Sequence, residues 1–304
     1  MSLLLDRGVD LILWMQRASP GADTFFTGVT MLGGEEFFLA VLPLIYWCVD
    51  RRTGVRLSVL FLLSGYTNAL AKTLIGQPRP FAYDSRVRVI FPEDGYGLPS
   101  GHTQNTALFW GGLCLLHRKA WLFSLGAVLV ILIPISRMYL GVHFPTDLAG
   151  GYLLAGAFLA FFARWGRLVE TVLVRKGLAW QIALAVAVPV LLALLYPGRQ
   201  GHGITASGSL LGMGVGFALE RRVVGFEEAG SRAQKAGRYV MGSAVLVALW
   251  IGLRVAFSGL EPAGLFRFSA SLSVAMASAM MSTAHVRLTA VGRAVRSRSH
   301  SARS

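Results

Sequence analysis

Three short stretches of this 304-residue chain carry side chains suited to holding an anion and moving a proton. The first is "KTLIGQPRP", Lys72 to Pro80, where an ammonium and a guanidinium close the end of an apolar run. Pro78 and Pro80 stop a helix and stiffen the chain beyond it, which turns Arg79 back toward Lys72. Neighbouring cations with no carboxylate between them repel unless an anion separates them. A phosphate satisfies both, Arg79 as a planar bidentate fork and Lys72 as a point charge. Snorkelling of the two side chains to lipid headgroups fits the same residues.

The second stretch is "LPSGH", Leu98 to His102. Ser100 suits the N-cap of a helix, and Gly101 lets backbone N–H groups approach a ligand closely. A helix N-terminus attracts anions through its unpaired N–H groups and dipole. His102, titrating near neutrality, suits a general acid; a capped helix with an interfacial histidine is the structural alternative. The third is "SRMYLGVHFPTD", Ser136 to Asp147. Arg137 ends one helix, Pro145 fits the first turn of the next, and His143 stands four residues before Asp147. That spacing lets the carboxylate hold one ring nitrogen and leave the other free, which makes a nucleophile or base. A charge pair at a helix start is the alternative.

Membrane helices must position these groups. The chain is 54% hydrophobic and only 14% charged, more apolar than a soluble domain tolerates. Crossing the hydrocarbon takes about 20 apolar residues in a helix. The pattern predicts an all-α polytopic bundle with about nine spans, at 35–49, 55–75, 100–117, 120–141, 146–164, 178–197, 203–220, 238–258 and 262–284. The first is short and carries Glu35 and Glu36. If the turns after the first, third, fifth and seventh helices share one side with the tail, that side holds most of the 29 Lys and Arg residues. Cytoplasmic loops carry such an excess, so the net charge of +14 reads as topology. No basic groove interleaved with aromatics supports a nucleic-acid partner. The three stretches then lie together at the opposite, external ends of helices two to five, where ionisable groups point to function.

Residues 1–33 are expected on the external side as an interfacial segment anchored by Trp14, without a cleavable signal peptide. Residues 34–165 form the site-bearing bundle, 166–284 four further helices, and 285–304 a basic cytoplasmic tail. Cys48 and Cys114 read as reduced packing thiols, since two cysteines make neither a disulfide framework nor a metal site. Within the loop from Gly76 to Leu98, Arg86 and Arg88 are candidates for contacts to a headgroup or a second phosphate. Glu35 and Glu36 either orient Arg79 or Lys72, or lie at headgroup level. Asn68 reads as polar packing inside the bundle, and Gly208, Gly212 and Gly216 as a small-residue helix contact. Arg254 and Arg267, with Glu261 between them, either extend the substrate groove or pair with one another. The sequence sets no oligomeric state.

Taken together, K-x6-R-P, P-S-G-H and S-R-x5-H-x3-D occur here without a substitution. The combination resembles the type 2 phosphatidic acid phosphatase superfamily, which includes bacterial lipid pyrophosphate phosphatases, glucose-6-phosphatase and vanadium haloperoxidases. The resemblance covers roughly residues 34–164 and is expected to end after Trp165. The run "LGGEEFFLAVLPLIYWCVDRR", Leu32 to Arg52, is also similar to sphingosine-1-phosphate and dolichyl pyrophosphate phosphatase-like members. The resemblance implies His143 as a nucleophile that forms a phosphohistidine, Asp147 as its orienter and His102 as the acid to the leaving oxygen. It makes Lys72, Arg79, Ser100, Gly101 and Arg137 the phosphate cradle, and it implies no metal or other cofactor. The substrate is then a lipid phosphate or lipid pyrophosphate reached from the bilayer at the outer interface of a bacterial inner membrane. A soluble phosphate ester, or recognition of a phospholipid without catalysis, remains the alternative.

Overall fold

Backbone polar groups in hydrocarbon find no water, and helices satisfy them internally. Every regular element in the computed structural model is helical among its described residues, 2–197, 202–224 and 228–256. The α-helices are α1 (Ser2–Met15), α2 (Asp23–Met31), α3 (Glu35–Leu44), α4 (Arg51–Ile75), α5 (Pro80–Tyr83), α6 (Gly101–His117), α7 (Ala120–Tyr139), α8 (Pro145–Arg175), α9 (Leu178–Leu195), α10 (His202–Leu219) and α11 (Arg232–Ala256). Single π-helical turns follow α3, at Ile45–Val49, and α10, at Glu220–Val224.

Helices occupy the first eight expected positions, but fewer are spans by length and composition. Among the described residues, four stretches are long and apolar enough to cross a membrane: Arg51–Tyr83, Ala120–Tyr139, Pro145–Arg175 and Leu178–Leu195. A fifth arises if α2 and the stretch Glu35–Val49, bent by 42° at the break between them, count as one. The expected nine exceed this number for a local reason. α6 has 17 residues and opens with the polar run Gly101-His-Thr-Gln-Asn-Thr, while α11 opens with Arg232, Lys235 and Arg238. The ninth expected helix, Glu261, Arg267, the side chain of Arg254 and the basic tail lie outside the described residues.

Close packing divides the chain into two units. Among the described residues, the first comprises 2–41, 60–173, 196–197 and 202–203; the second comprises 42–59, 174–195, 204–224 and 228–256. In the first, α6 packs along α7, and α2 lies against α7 as well. Leu60, Leu108 and Ala155 make one buried centre, flanked by Phe61, Phe158 and Phe162. Residues 1–33 are structural parts of this unit. Leu5, Val9 and Ile12 bury one face of α1 against Val87 and Phe144, and Trp14 stays 62% exposed. In the second unit, Tyr46 and Trp47 of the first π turn pack with Phe217 and Tyr239. Cys48 and Cys114 are both free thiols.

Candidate active site

The site is built around the turn between α7 and α8. Gly141 has φ of +80°, in the left-handed region that a residue with a Cβ enters only at a cost. A Cβ there would also collide with the carbonyl of Arg88 and sit 3.0 Å from Gln16 Nε2. Gln16 is the reason the segments lie so close. Its amide donates to the carbonyls of Arg88 at 2.9 Å and Tyr139 at 3.0 Å, and its Oε1 accepts from Arg88 N at 3.1 Å. An N-terminal side chain thus fastens the loop before α6 to the turn that presents His143.

His143 is fully buried. Its Nδ1 lies 3.0 Å from Asp147 Oδ2, which also accepts from Phe144 N at 3.0 Å. Asp147 Oδ1 accepts from Gln77 Nε2 at 2.6 Å. Three donors therefore fix the carboxylate, and the carboxylate fixes the ring. Nε2 faces Arg79 Nη1 at 3.2 Å. A guanidinium only donates, so Nε2 is the acceptor and Nδ1 carries the proton. Burial, and then the charges of Arg137, Lys72 and Arg79, hold the His143 pKa well below its ordinary 6.5. The imidazole is neutral at pH 7, with its lone pair turned toward the cations.

Those cations come from three helix ends. Arg79, the residue before α5, donates to the carbonyl of Val142 at 3.0 Å and to Glu93 Oε1 at 2.9 Å. Arg137, in the last turn of α7, donates to Thr30 Oγ1 at 2.7 Å and lies 5.8 Å over the ring of Phe91. Its other terminal nitrogen pairs with Glu93 Oε2. Both arginines are buried. Lys72, in the last turn of α4, is half-buried, and its ammonium makes no hydrogen bond or ion pair among the described residues.

The PSGH turn is tied to the same place through the main chain, because Ser100 N donates to the carbonyl of Asp147 at 2.9 Å. Ser100 caps α6, its Oγ accepting from Thr103 N at 3.5 Å and from Thr103 Oγ1 at 3.1 Å. A Cβ on Gly101 would meet only Asn68 Oδ1, at an ordinary 3.6 Å, so the protein's own packing does not demand glycine there. His102 rests beside the α2–α3 break: a Cβ on Gly33 would lie 3.4 Å from its ring. Asn68 does more than pack. It donates to Pro99 O at 3.3 Å and to Gln104 Oε1 at 2.7 Å, and Gln104 in turn donates to Ser64 Oγ at 2.6 Å.

Lys72, Arg79, Ser100, Gly101, His102, Arg137, His143 and Asp147 all fall within the first unit. Three of the four more peripheral candidates have other partners. Arg86 is 64% exposed and chelated by Asp84, with Nη2 to Oδ2 at 2.7 Å. Arg88 donates from Nη1 to Ser19 Oγ at 2.9 Å and joins the site's support only through its backbone. Glu35 is 68% exposed and lies 3.6 Å from His202 Nδ1. Glu36 is exposed too, and neither glutamate bonds to Arg79 or Lys72. The carboxylate that meets both arginines is Glu93, in the loop between α5 and α6. Gln77 and Gln16 do not follow from the motifs, because each reaches a partner that no spacing rule connects to it.

The PAP2 superfamily profile matches residues 53–169, which hold all three motif stretches. A second profile, the PAP2 superfamily phosphatase transmembrane extension, matches residues 204–290. Likeness to the family therefore does not end after Trp165. Lipid phosphate phosphatase delta of Arabidopsis thaliana is 32% identical over 163 residues, 47% of this chain and 38% of that protein. Sphingosine-1-phosphate phosphatase 2 of Mus musculus is 28% identical over 199 residues, 62% of this chain and 55% of that protein. Phosphatidylglycerophosphatase B of Bacillus subtilis is 29% identical over 159 residues, 48% of this chain and 75% of that protein. The aligned part spans about half the length of the first two relatives.

Proposed function

Because the chain belongs to the PAP2 superfamily, we propose that it is an integral membrane phosphatase that hydrolyses a lipid phosphate or lipid pyrophosphate through a phosphohistidine. The observation that carries this reading is the buried His143, held through Nδ1 by Asp147 with Nε2 turned to Arg79. A histidine kept only for anion binding needs no carboxylate locking its tautomer and no neutral lone pair.

In the first step the His143 Nε2 lone pair attacks phosphorus and the bond to the leaving oxygen breaks. The imidazolium that forms is stabilised by Asp147. His102, entering the step protonated, gives its proton to the leaving oxygen. In the second step a water attacks phosphorus, passes a proton to His102, and the P–N bond breaks to free inorganic phosphate and neutral His143. Charge builds on the phosphoryl oxygens in both steps. Lys72, Arg79, Arg137 and the N–H groups at the start of α6 supply the matching positive field. No cofactor is assigned a role.

The relatives' names cover lipid phosphates, sphingosine 1-phosphate and phosphatidylglycerophosphate. The shared element is a phosphorylated head on a chain that stays in the bilayer, and we assign this chain a substrate of that class. We further place the site at the external face of a bacterial inner membrane, with about nine spans and a cytoplasmic C-terminus, because basic residues favour the opposite loops. Labelling of single cysteines at Arg86 and Arg118 from each side of sealed vesicles tests that orientation; labelling of both from one side overturns it.

The reaction is tested by phosphate release from lipid phosphates and lipid pyrophosphates in mixed micelles, with glucose 6-phosphate as the soluble comparison. Wild-type protein is expected to turn over the lipids and His143→Ala to lose that turnover. Undiminished release by the variant rejects the nucleophile, and preference for the sugar phosphate rejects the lipid class.

A further inference from the structure

We infer that Glu93 is an internal counter-anion: it occupies the phosphoryl position of the resting site and sets a charge threshold that a substrate must exceed to enter. The inference rests on the phosphatase reading above and concerns which phosphates the site admits.

The carboxylate touches the groups that a phosphoryl group has to meet. Oε1 is 2.9 Å from Arg79 Nη2 and 4.0 Å from His143 Nε2, and Oε2 pairs with Arg137. Its neighbours reinforce the blockade. Arg79 Nη2 donates also to Asp94 O at 2.9 Å, and Nε donates to Gly95 O at 3.0 Å. Nη1 is spent on Val142 O and His143 Nε2. An arginine has five N–H groups, and with the loop in place each one has an acceptor inside the protein. The nucleophile is covered as well, because the Nε2 lone pair accepts from Arg79.

The blocking group is also built to leave. Glu93 sits in an irregular stretch after α5, its side chain is 24% exposed, and Gly95 beside it has φ of +74°. The stretch is anchored beyond the glycine, where Gly97 N donates to Gln77 O at 2.9 Å. Rotation before that anchor carries the carboxylate toward water without disturbing Gln77 or Asp147.

Formal charge decides what displaces it. Lys72, Arg79 and Arg137 bring three positive charges and Asp147 one negative, with His143 neutral. Glu93 cancels one of the excess positive charges, and a dianionic phosphate monoester in its place cancels two. A monoanionic phosphodiester merely exchanges like for like and gains nothing for the loop it displaces. The site therefore favours terminal phosphates and pyrophosphates over the diesters that fill a bilayer.

The test is calorimetric binding of inorganic phosphate and of dimethyl phosphate, a monoanionic diester, to the full-length protein in micelles. A ligand that must open a site closed about nine-tenths of the time binds about tenfold more weakly than to the open form. Glu93→Gln, which keeps volume and removes charge, is expected to bind phosphate about tenfold or more tightly than wild type, and to bind dimethyl phosphate that wild type ignores. Glu93→Asp, charged but shorter, should fall between. A larger rise in Tm on adding phosphate to Glu93→Gln than to wild type reports the same competition in folded protein. Unchanged or weaker phosphate binding by Glu93→Gln overturns the inference and makes Glu93 a positioning residue for Arg79 and Arg137. Lipid turnover by wild type, lost in His143→Ala, would in that case leave the phosphatase standing. Tighter phosphate binding by Glu93→Gln in a protein that turns over no lipid would retain the counter-anion and reject the phosphatase.

Discussion

In the second packing unit, Arg51 pairs with Glu220 at 2.5 Å and Arg238 donates to the carbonyl of Trp47 at 2.7 Å. All four residues stand on helices or π turns. In the first unit, Arg79 and Arg137 share one carboxylate that arrives on an irregular loop, and Lys72 beside them has no partner among the described residues. The first arrangement closes when the helices pack, and taking one partner away strands a buried charge. The second keeps surplus positive charge and a replaceable anion. Buried arginines occur in both, so burial alone does not mark a site. What marks it is cations outnumbering the fixed anions, next to a neutral histidine whose own carboxylate is already held by three donors.

Substitutions can break this contrast. Asp147→Asn keeps the packing but loses the acceptor that selects the His143 tautomer, and turnover is expected to fall about 10³–10⁴-fold. A loss below tenfold, measured by phosphate release, would show that the pairing does not orient the nucleophile. Gly97→Ala places a methyl 2.7 Å from Asp147 Oδ2. Displacing a catalytic group by about 1 Å costs up to about 10²-fold in rate, so a drop of about 10–100-fold in kcat, with the fold retained, is expected. Wild-type kcat in that variant would mean the loop yields instead of the carboxylate.

Acidification should do less. Burial, and then the neighbouring cations, depress the His143 pKa, so its neutral form persists as pH falls through 6.5 and is lost only well below it. Nitrogen-15 NMR of labelled histidine checks this directly, and protonation at or above pH 6.5 would contradict it. In the closed arrangement of the second unit, Glu220→Gln leaves the half-buried Arg51 without its counter-charge. It should lower Tm while turnover per folded molecule stays at the wild-type level; lost turnover at unchanged Tm would erase the distinction between the two kinds of cluster.

The chemistry was legible where it depends on local spacing. His143 and Asp147 meet at four residues' separation across one turn, and Ser100 caps α6 within its own stretch. Apolar runs located most helices, as α7 at Ala120–Tyr139 and α9 at Leu178–Leu195 show against expectations of 120–141 and 178–197. α8 continues to Arg175, past the expected end at 164, because Arg, Leu and Glu propagate a helix after its apolar core is spent. Gln77, Gln16 and Glu93 stayed hidden for a different reason. Each finds its partner across loops, and glutamine or glutamate in a loop gives no sign in one sequence of what it reaches. The role of residues 1–33 hid with them, because an amphipathic helix that packs on protein and one that lies on a membrane share a pattern.

The Gln16 clip also bears on biogenesis. Its acceptors lie 72 and 123 residues downstream. A ribosome adding about 5–20 residues per second needs on the order of ten seconds to deliver Tyr139 after Gln16 has been made. Throughout that interval the first helix waits without its destination, while the segments bearing Lys72, Arg79 and His102 are threaded before the nucleophile exists. Gln16, made before every residue that holds it, is among the last parts of the site to lock.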